Sequence, residues 1–269
     1  MINVGNIVPI SYLEMVKGRP FHLILAHMVK QSDTYRDFYK QETKNGATIV
    51  LDNSNYECGD TWATPTELVD IYKSLESDSV YLMAPEVAFD GLASARAVYK
   101  FKELLASLNL TPKLFGTVHG RSFDEVRKCY TTVNELVDYI GFSYRIWCDD
   151  LPVKYPVSTI ERGLMRVTLL NALAEEGVIN TQKPHHLLGI SDPCEIYAQS
   201  HYFWIKSADS STAYIHAKNN IWFTSSGFSN RERITEKINF DDEFSSFVSS
   251  GLHRNIMWLD TFAKGEKVW

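Results

Sequence analysis

Two aspartates each close a hydrophobic, β-rich run in this sequence. Asp52 ends ATIVLD (47–52), and Asp209 ends YFWIKSAD (202–209), where Ser210 and Ser211 follow with hydroxyl donors. An acid placed in this way is often only a helix cap or a turn former. On two strands of one sheet, a carboxylate pair also suits double displacement at a sugar carbon. One carboxylate attacks, and the other protonates or deprotonates the group that leaves or enters.

Other strand ends carry groups able to hydrogen-bond or titrate: His27, Glu86, His119 with Arg121, Ser143 to Arg145, and Ser191 with Asp192. His119, in FGTVHGR, stands beside Gly120, which lets a flat ligand approach the backbone; the competing reading is a structural histidine. Glu86, in MAPEVAFDG, can accept hydrogen bonds from the N1–H and amino group of a purine, or be a solvated loop acid. Gly141, in YIGFSY, either offers a backbone amide to a ligand or eases strand packing. His185 and His186 stand where their strand begins, at the end away from the chemistry, and read as surface or packing residues. Lys206, Lys218, Arg231 and Arg233 could line a phosphate path near Asp209. The run RERITEKINFDDEF (231–244) reads as a solvated, mixed-charge helix face. Trp222, Phe223, Phe228, Trp258 and Trp269 read as core or interface rather than as stacking platforms.

Metal chemistry finds no support. The cysteines at 58, 129, 148 and 194 form no CxC, CxxC or Cys/His cluster, and no HxH pair stands at a strand end. Widely spread thiols fit a reducing compartment.

The elements that must position these residues are legible as alternating runs. Strands are expected at 21–27, 47–52, 79–85, 114–119, 138–143, 185–190 and 202–209, with an eighth near 221–223 or 255–259. Helices are expected at 65–77, 92–108, 122–136, 158–177 and 193–200. Thr64 with Glu67, Ser122 with Glu125 and Ser158 with Glu161 have capping-box spacing. Strand runs apolar on both faces, alternating with helices, imply a parallel sheet covered on both sides. With no GxGxxG after the first strand, a dinucleotide-binding sheet loses its main support. The expected architecture is a single-domain (β/α)8 TIM-type barrel over residues 1–269, with its core at about 21–220 and a C-terminal helical extension at about 228–269. In such barrels chemistry gathers where the strands end.

The 269 residues, 45% hydrophobic and 13% aromatic, supply a large core and exclude disorder as the main reading. A net charge of -6 lacks the basic excess of a protein coated in nucleic acid, leaving room only for a local basic patch. No signal peptide and no apolar run long enough to span a bilayer are visible, so a soluble, cytoplasmic protein is expected.

Taken in order, these segments resemble the tRNA-guanine transglycosylase superfamily, and within it the short phage-type DNA 7-deazaguanine transglycosylases, over about residues 21–220. LDNSNYE is similar to the family's D-S-G-G-F-Q and implies Asp52 as acid/base, with Ser54 and Asn55 standing for the glycine pair in the pocket floor. LMAPEVAFD implies Glu86 as the carboxylate that reads the purine edge. FGTVHGR is similar to F-G-I-V-Q-G-G, with His119 in place of the base-binding Gln. YIGFSY implies Gly141, with Ser143 close by, at the turn that contacts the base. HLLGISDP resembles the segment before the nucleophile strand, and WIKSADSS implies Asp209 as nucleophile.

The family's zinc module is absent, which favours DNA over tRNA. The resemblance implies guanine exchange for a free 7-deazaguanine base such as 7-cyano-7-deazaguanine, with no cofactor or metal. Nucleic acid is the expected partner, with Lys206, Lys218 and Arg231 as candidate contacts, and a homodimer or an accessory protein is the further partner considered. The competing readings are the same chemistry on tRNA and an inactive nucleic-acid-binding subunit. Common to these expectations is that Asp52 and Asp209 meet across one barrel mouth with room for a purine between them.

Overall fold

The computed structural model describes residues 1–59, 62–144, 146, 159–228, 234 and 236–266. Eight parallel strands form one sheet: β1 (Asn3–Asn6), β2 (Phe21–Leu25), β3 (Thr48–Asp52), β4 (Val80–Met83), β5 (Lys113–Val118), β6 (Tyr139–Ser143), β7 (His185–Leu188) and β8 (Ile205–Ser210). Their order is β1-β8-β7-β6-β5-β4-β3-β2, each bonded to its neighbour in parallel register. β1 and β2 also lie side by side: a Cβ added to Gly5 would come within 3.1 Å of the Leu23 nitrogen and the Phe21 ring. The result is a nearly closed (β/α)8 barrel of TIM type, as the alternation of elements predicts.

The expected eighth strand is corrected. Trp222 precedes a short antiparallel hairpin of β9 (Phe223–Thr224) and β10 (Gly227–Phe228), and residues 255–259 lie in a helix. The missing stave is β1, so the barrel core begins near residue 3 rather than 21.

Around the barrel lie α1 (Ala26–Gln31), α2 (Asp33–Lys44), α3 (Asn55–Cys58), α4 (Pro65–Ser74), α5 (Gly91–Ser107), α6 (Phe123–Leu136), α7 (Thr159–Glu175), α8 (Pro193–Gln199), α9 (Thr212–Lys218) and α10 (Ser246–Ala263). α6 shows how they are specified. Val126, Cys129, Tyr130 and Val133 recur at helical spacing and are buried, each large apolar side chain contributing roughly 1.5–3 kcal/mol.

Thr64 and Glu67 form the complete capping box. Ser122 caps α6 through the Glu125 amide, but the Glu125 carboxylate instead accepts from the amides of Gly91 and Arg121, tying α5 to α6. Ser158 lies outside the described residues. The charged run at 231–244 contains no helix among its described residues. α10 packs on β1, α8 and α9, with the Ile2 amide donating to the Ala263 carbonyl, so it belongs to the ring rather than to an appended extension.

Cys58, Cys129 and Cys194 are free thiols, and Cys148 lies outside the described residues. No helix among the described residues is long and apolar enough to cross a membrane.

Candidate active site

At the carboxyl ends of the strands lies a cavity of about 200 Å³. Asp52 at the end of β3, Glu86 after β4, His119 after β5, Ser143 at the end of β6 and Asp209 in β8 all line it, with Asn55 from the start of α3. Leu23, Leu25, Leu188 and Ile190 supply its apolar wall. The sequence-predicted carboxylate pair therefore lines one shared cavity.

Asp209 is 5% exposed. Its Oδ1 accepts from His186 Nε2 at 2.9 Å and from the Gly189 amide at 2.9 Å. Both donors fall on the same oxygen, which leaves Oδ2 on the cavity side of the contacts. Gly189 holds the left-handed conformation at φ 66, and a Cβ there would sit 3.0 Å from the Tyr144 ring, so a side chain is disfavoured twice.

The segment that presents the Gly189 amide is clamped from behind by Arg166. This fully buried guanidinium donates to the carbonyls of Phe142 at 2.9 Å, Leu188 at 2.6 Å and Gly189 at 3.3 Å, and pairs with Glu195. Burial pushes the Glu195 carboxyl up, an effect that the charge of Arg166 opposes.

Asp52 is half-buried and accepts a 2.6 Å hydrogen bond from the Ser54 amide. Desolvation holds its carboxyl well above the usual carboxylate range; the charge of Glu57 adds to this, as do those of Glu86 and Asp209, while the Ser54 amide opposes them. The cavity lining is acid-rich. Among the described residues, Arg162 is its guanidinium or ammonium, against Asp52, Glu57, Glu86, Asp209 and Glu236.

On the far side, His119 Nε2 and Glu86 Oε2 are 3.0 Å apart, linking the ends of β4 and β5. His216, also on the lining, is pushed down to about 4 by burial. It donates from Nδ1 to the Thr212 carbonyl at 3.0 Å. At the outer edge, the rings of Tyr56 and Tyr144 meet edge-on at 5.9 Å, with Lys237 over one and Arg162 over the other.

Several expected ligand contacts are placed elsewhere. Ser54 is fully buried, and its hydroxyl accepts from the His27 amide at 3.2 Å, so it shapes the loop rather than facing a ligand. Gly141 sits lower in β6, where an added Cβ would lie 2.5 Å from Phe115; its bareness serves strand packing. Lys206 is exposed near the start of β8, away from the mouth. Lys218 is bound to Glu236 and Asp242 at 2.8 and 2.9 Å and has little charge to spare for a phosphate. Arg231 and Arg233 lie outside the described residues.

Of the surface and packing readings for His185 and His186, burial bears out packing. Both are fully buried in β7, and successive positions of a strand face opposite ways. His185 points outward against Tyr130 and Trp204, where desolvation lowers it to about 4. His186 points into the barrel among Phe21, Phe115 and Tyr139, beneath Asp209. Among the described residues no cluster of three His, Cys, Asp or Glu side chains is arranged to hold a metal. The chain matches no protein-family model and no curated protein.

Proposed function

We propose that the protein is a base-exchange transglycosylase that replaces guanine in nucleic acid, DNA by preference, with a 7-deazaguanine base. The observation that carries this reading is the shared cavity of Asp209 and Asp52, two carboxylates in unlike environments. Asp209 is fixed by two donors on one oxygen, as a nucleophile needs to be. Asp52 has its proton held by desolvation and neighbouring acids, as a general acid/base near neutral pH needs.

In the first half-reaction a flipped-out guanosine enters the mouth, because its glycosidic bond is out of reach within the stack. Asp209 Oδ2 attacks C1′. The C1′–N9 bond breaks, its electron pair goes to N9, and Asp52 gives that nitrogen a proton. In the second half-reaction the incoming deazaguanine loses its N9 proton to Asp52, and N9 attacks C1′. The bond from C1′ to Asp209 then breaks and returns its electron pair to the carboxylate. Two inversions give net retention, and Asp52 ends with the proton it began with. No redox or metal step is required.

The Glu86–His119 pair supplies an acceptor carboxylate for the N1–H and amino group of the base. A cavity of about 200 Å³ suits one bicyclic base rather than a dinucleotide. The acidic lining favours a sugar carbon that gains positive charge in the transition state but repels phosphate. Backbone contacts are therefore assigned to the outer rim, where Arg162 and Lys237 lie over Tyr144 and Tyr56.

The test is to incubate the protein with labelled guanine and either duplex DNA or tRNA, and to analyse nucleosides by mass spectrometry in cells that make deazaguanines. Label entering DNA supports the reading. Label entering tRNA moves the substrate to RNA, and label entering neither, with no deazaguanine nucleoside formed, overturns it.

A further inference from the structure

A continuous polar chain runs through the otherwise apolar barrel interior and ends on Asp209. The Tyr139 hydroxyl meets Ser207 Oγ, Ser207 Oγ lies 2.7 Å from His186 Nδ1, and His186 Nε2 lies 2.9 Å from Asp209 Oδ1. All four residues are at least nine-tenths buried. The register explains the assembly. His186 pairs with Ser207 across β7 and β8, and Ser207 and Asp209, two apart on β8, share the inward face. Phe21, Phe115 and Tyr139 pack about the imidazole, with ring centroids 5.2, 5.6 and 6.3 Å away, so water has no place at either nitrogen.

Such a chain has one self-consistent set of protons. A carboxylate cannot donate, so Nε2 of His186 carries a proton toward Asp209. With the ring neutral, Nδ1 must accept; hence Ser207 donates to Nδ1 and in turn accepts from the Tyr139 hydroxyl. Protonating Nδ1 would make Ser207 Oγ an acceptor from it and leave one proton of the Ser207 and Tyr139 hydroxyls without an acceptor. Burial, which lowers the imidazole, acts in the same direction. The neighbour has the opposite tautomer: His185 Nδ1 lies 3.0 Å from the Lys183 carbonyl and must donate, so Nε2 accepts from Tyr130.

We propose that His186 is a positioning residue for Asp209: a neutral, Nε2-protonated imidazole, set by Ser207 and Tyr139, that holds Oδ1 and leaves Oδ2 as the attacking oxygen. This rests on the assignment of Asp209 as nucleophile. No proton travels along the chain during turnover. Its role is to fix one rotamer of the aspartate and to supply, with the Gly189 amide, a donor to the oxygen that stays behind.

Two measurements test it. Long-range proton–nitrogen NMR of the whole protein should show His186 neutral with its proton on Nε2 throughout about pH 6 to 8. A proton on Nδ1, or an imidazolium, overturns the proposal. In base-exchange kinetics, His186→Leu should lower kcat by about 10- to 100-fold, the worth of one charge-assisted hydrogen bond, with KM nearly unchanged. His186→Gln, whose amide can reach the same place, should recover most of that loss. A folded Leu variant with normal kcat, or a Gln variant as slow as Leu, overturns it. Should the protein show no exchange on any nucleic acid, the proposed function falls, and the NMR tautomer alone decides the geometry of this chain.

Discussion

Ser54 donates its backbone N–H to Asp52 Oδ1 at 2.6 Å from a left-handed conformation, φ 61, that side chains other than glycine seldom adopt. The turned backbone folds the amide back onto the carboxylate two residues earlier. The serine hydroxyl, accepting from the His27 amide, holds the turn in place. Replacing Ser54 by Gly removes about 1 kcal/mol of backbone strain and loses one hydrogen bond of similar worth, so stability should change by less than about 1 kcal/mol. Ser54→Val, β-branched in a buried left-handed position, should lose more than about 2 kcal/mol. Urea melts of the two variants check this ordering.

Asp209→Ala should abolish exchange, a loss of at least about 10³-fold, since the proposed covalent intermediate forms on its carboxylate. Wild-type protein incubated with nucleic acid should yield an adduct that survives denaturing electrophoresis, and Asp209→Asn should trap none. Normal exchange by either variant would remove the nucleophile assignment.

Asp52→Asn should slow exchange by about 10²- to 10⁴-fold while leaving the fold intact. Because desolvation and then Glu57 hold the Asp52 carboxyl above its ordinary range, the wild-type rate should depend on pH above the usual carboxylate range. That limb should disappear in the Asn variant, whose residual rate is read across the same pH series.

Acid should destabilise the fold at milder pH than its carboxylates alone would dictate. Burial lowers His185 and His216 to about 4, and lowers His22, His27 and His186 as well. In the unfolded chain these rings take up protons near pH 6.5, so stability present above that value drains as pH falls toward about 4, by roughly 3 kcal/mol for a ring like His185. Asp52 and Glu195, whose carboxyls are raised, act in the opposite sense and offset part of the loss. Thermal melts from pH 7 to 5 should show a falling Tm, less steep in His185→Phe.

Arg166→Met should be among the most damaging single changes, by about 3–5 kcal/mol, because it strands the buried Glu195 and frees three carbonyls at the ends of β6 and β7. Adding Glu195→Leu should restore part of that loss, as a double-mutant cycle of denaturant midpoints would show.

The sequence displays seven strands because each is an unbroken apolar run with a polar stop. β1, with the sequence NVGN, has neither the length nor the apolar content to stand out. α2 escapes notice because its core contacts reduce to Tyr35, Tyr39 and Glu42 in an otherwise polar stretch, and NIMWL in α10 reads equally as strand or helix. Asp52, Asn55, Glu86, His119, Ser143 and Asp209 are legible as site candidates since polar groups after apolar strands converge on one mouth. His186 is not, because its partner is fixed by the β7–β8 register, and a shift of one residue would have turned it outward in place of His185. Ser54 and Gly141 are recognisable as special backbone positions, but only packing reveals that neither meets the cavity.

The stave beside Asp209 is β1. Gly5 pairs with Asp209, and Asn3 with Ser207, so β8 is supported on one side by residues far from it in sequence. Pairing between strands so far apart in sequence makes closure of this side of the barrel a slow step of folding. Deleting β1 would therefore open a seam along β8 beside Asp209 and the cavity that it lines.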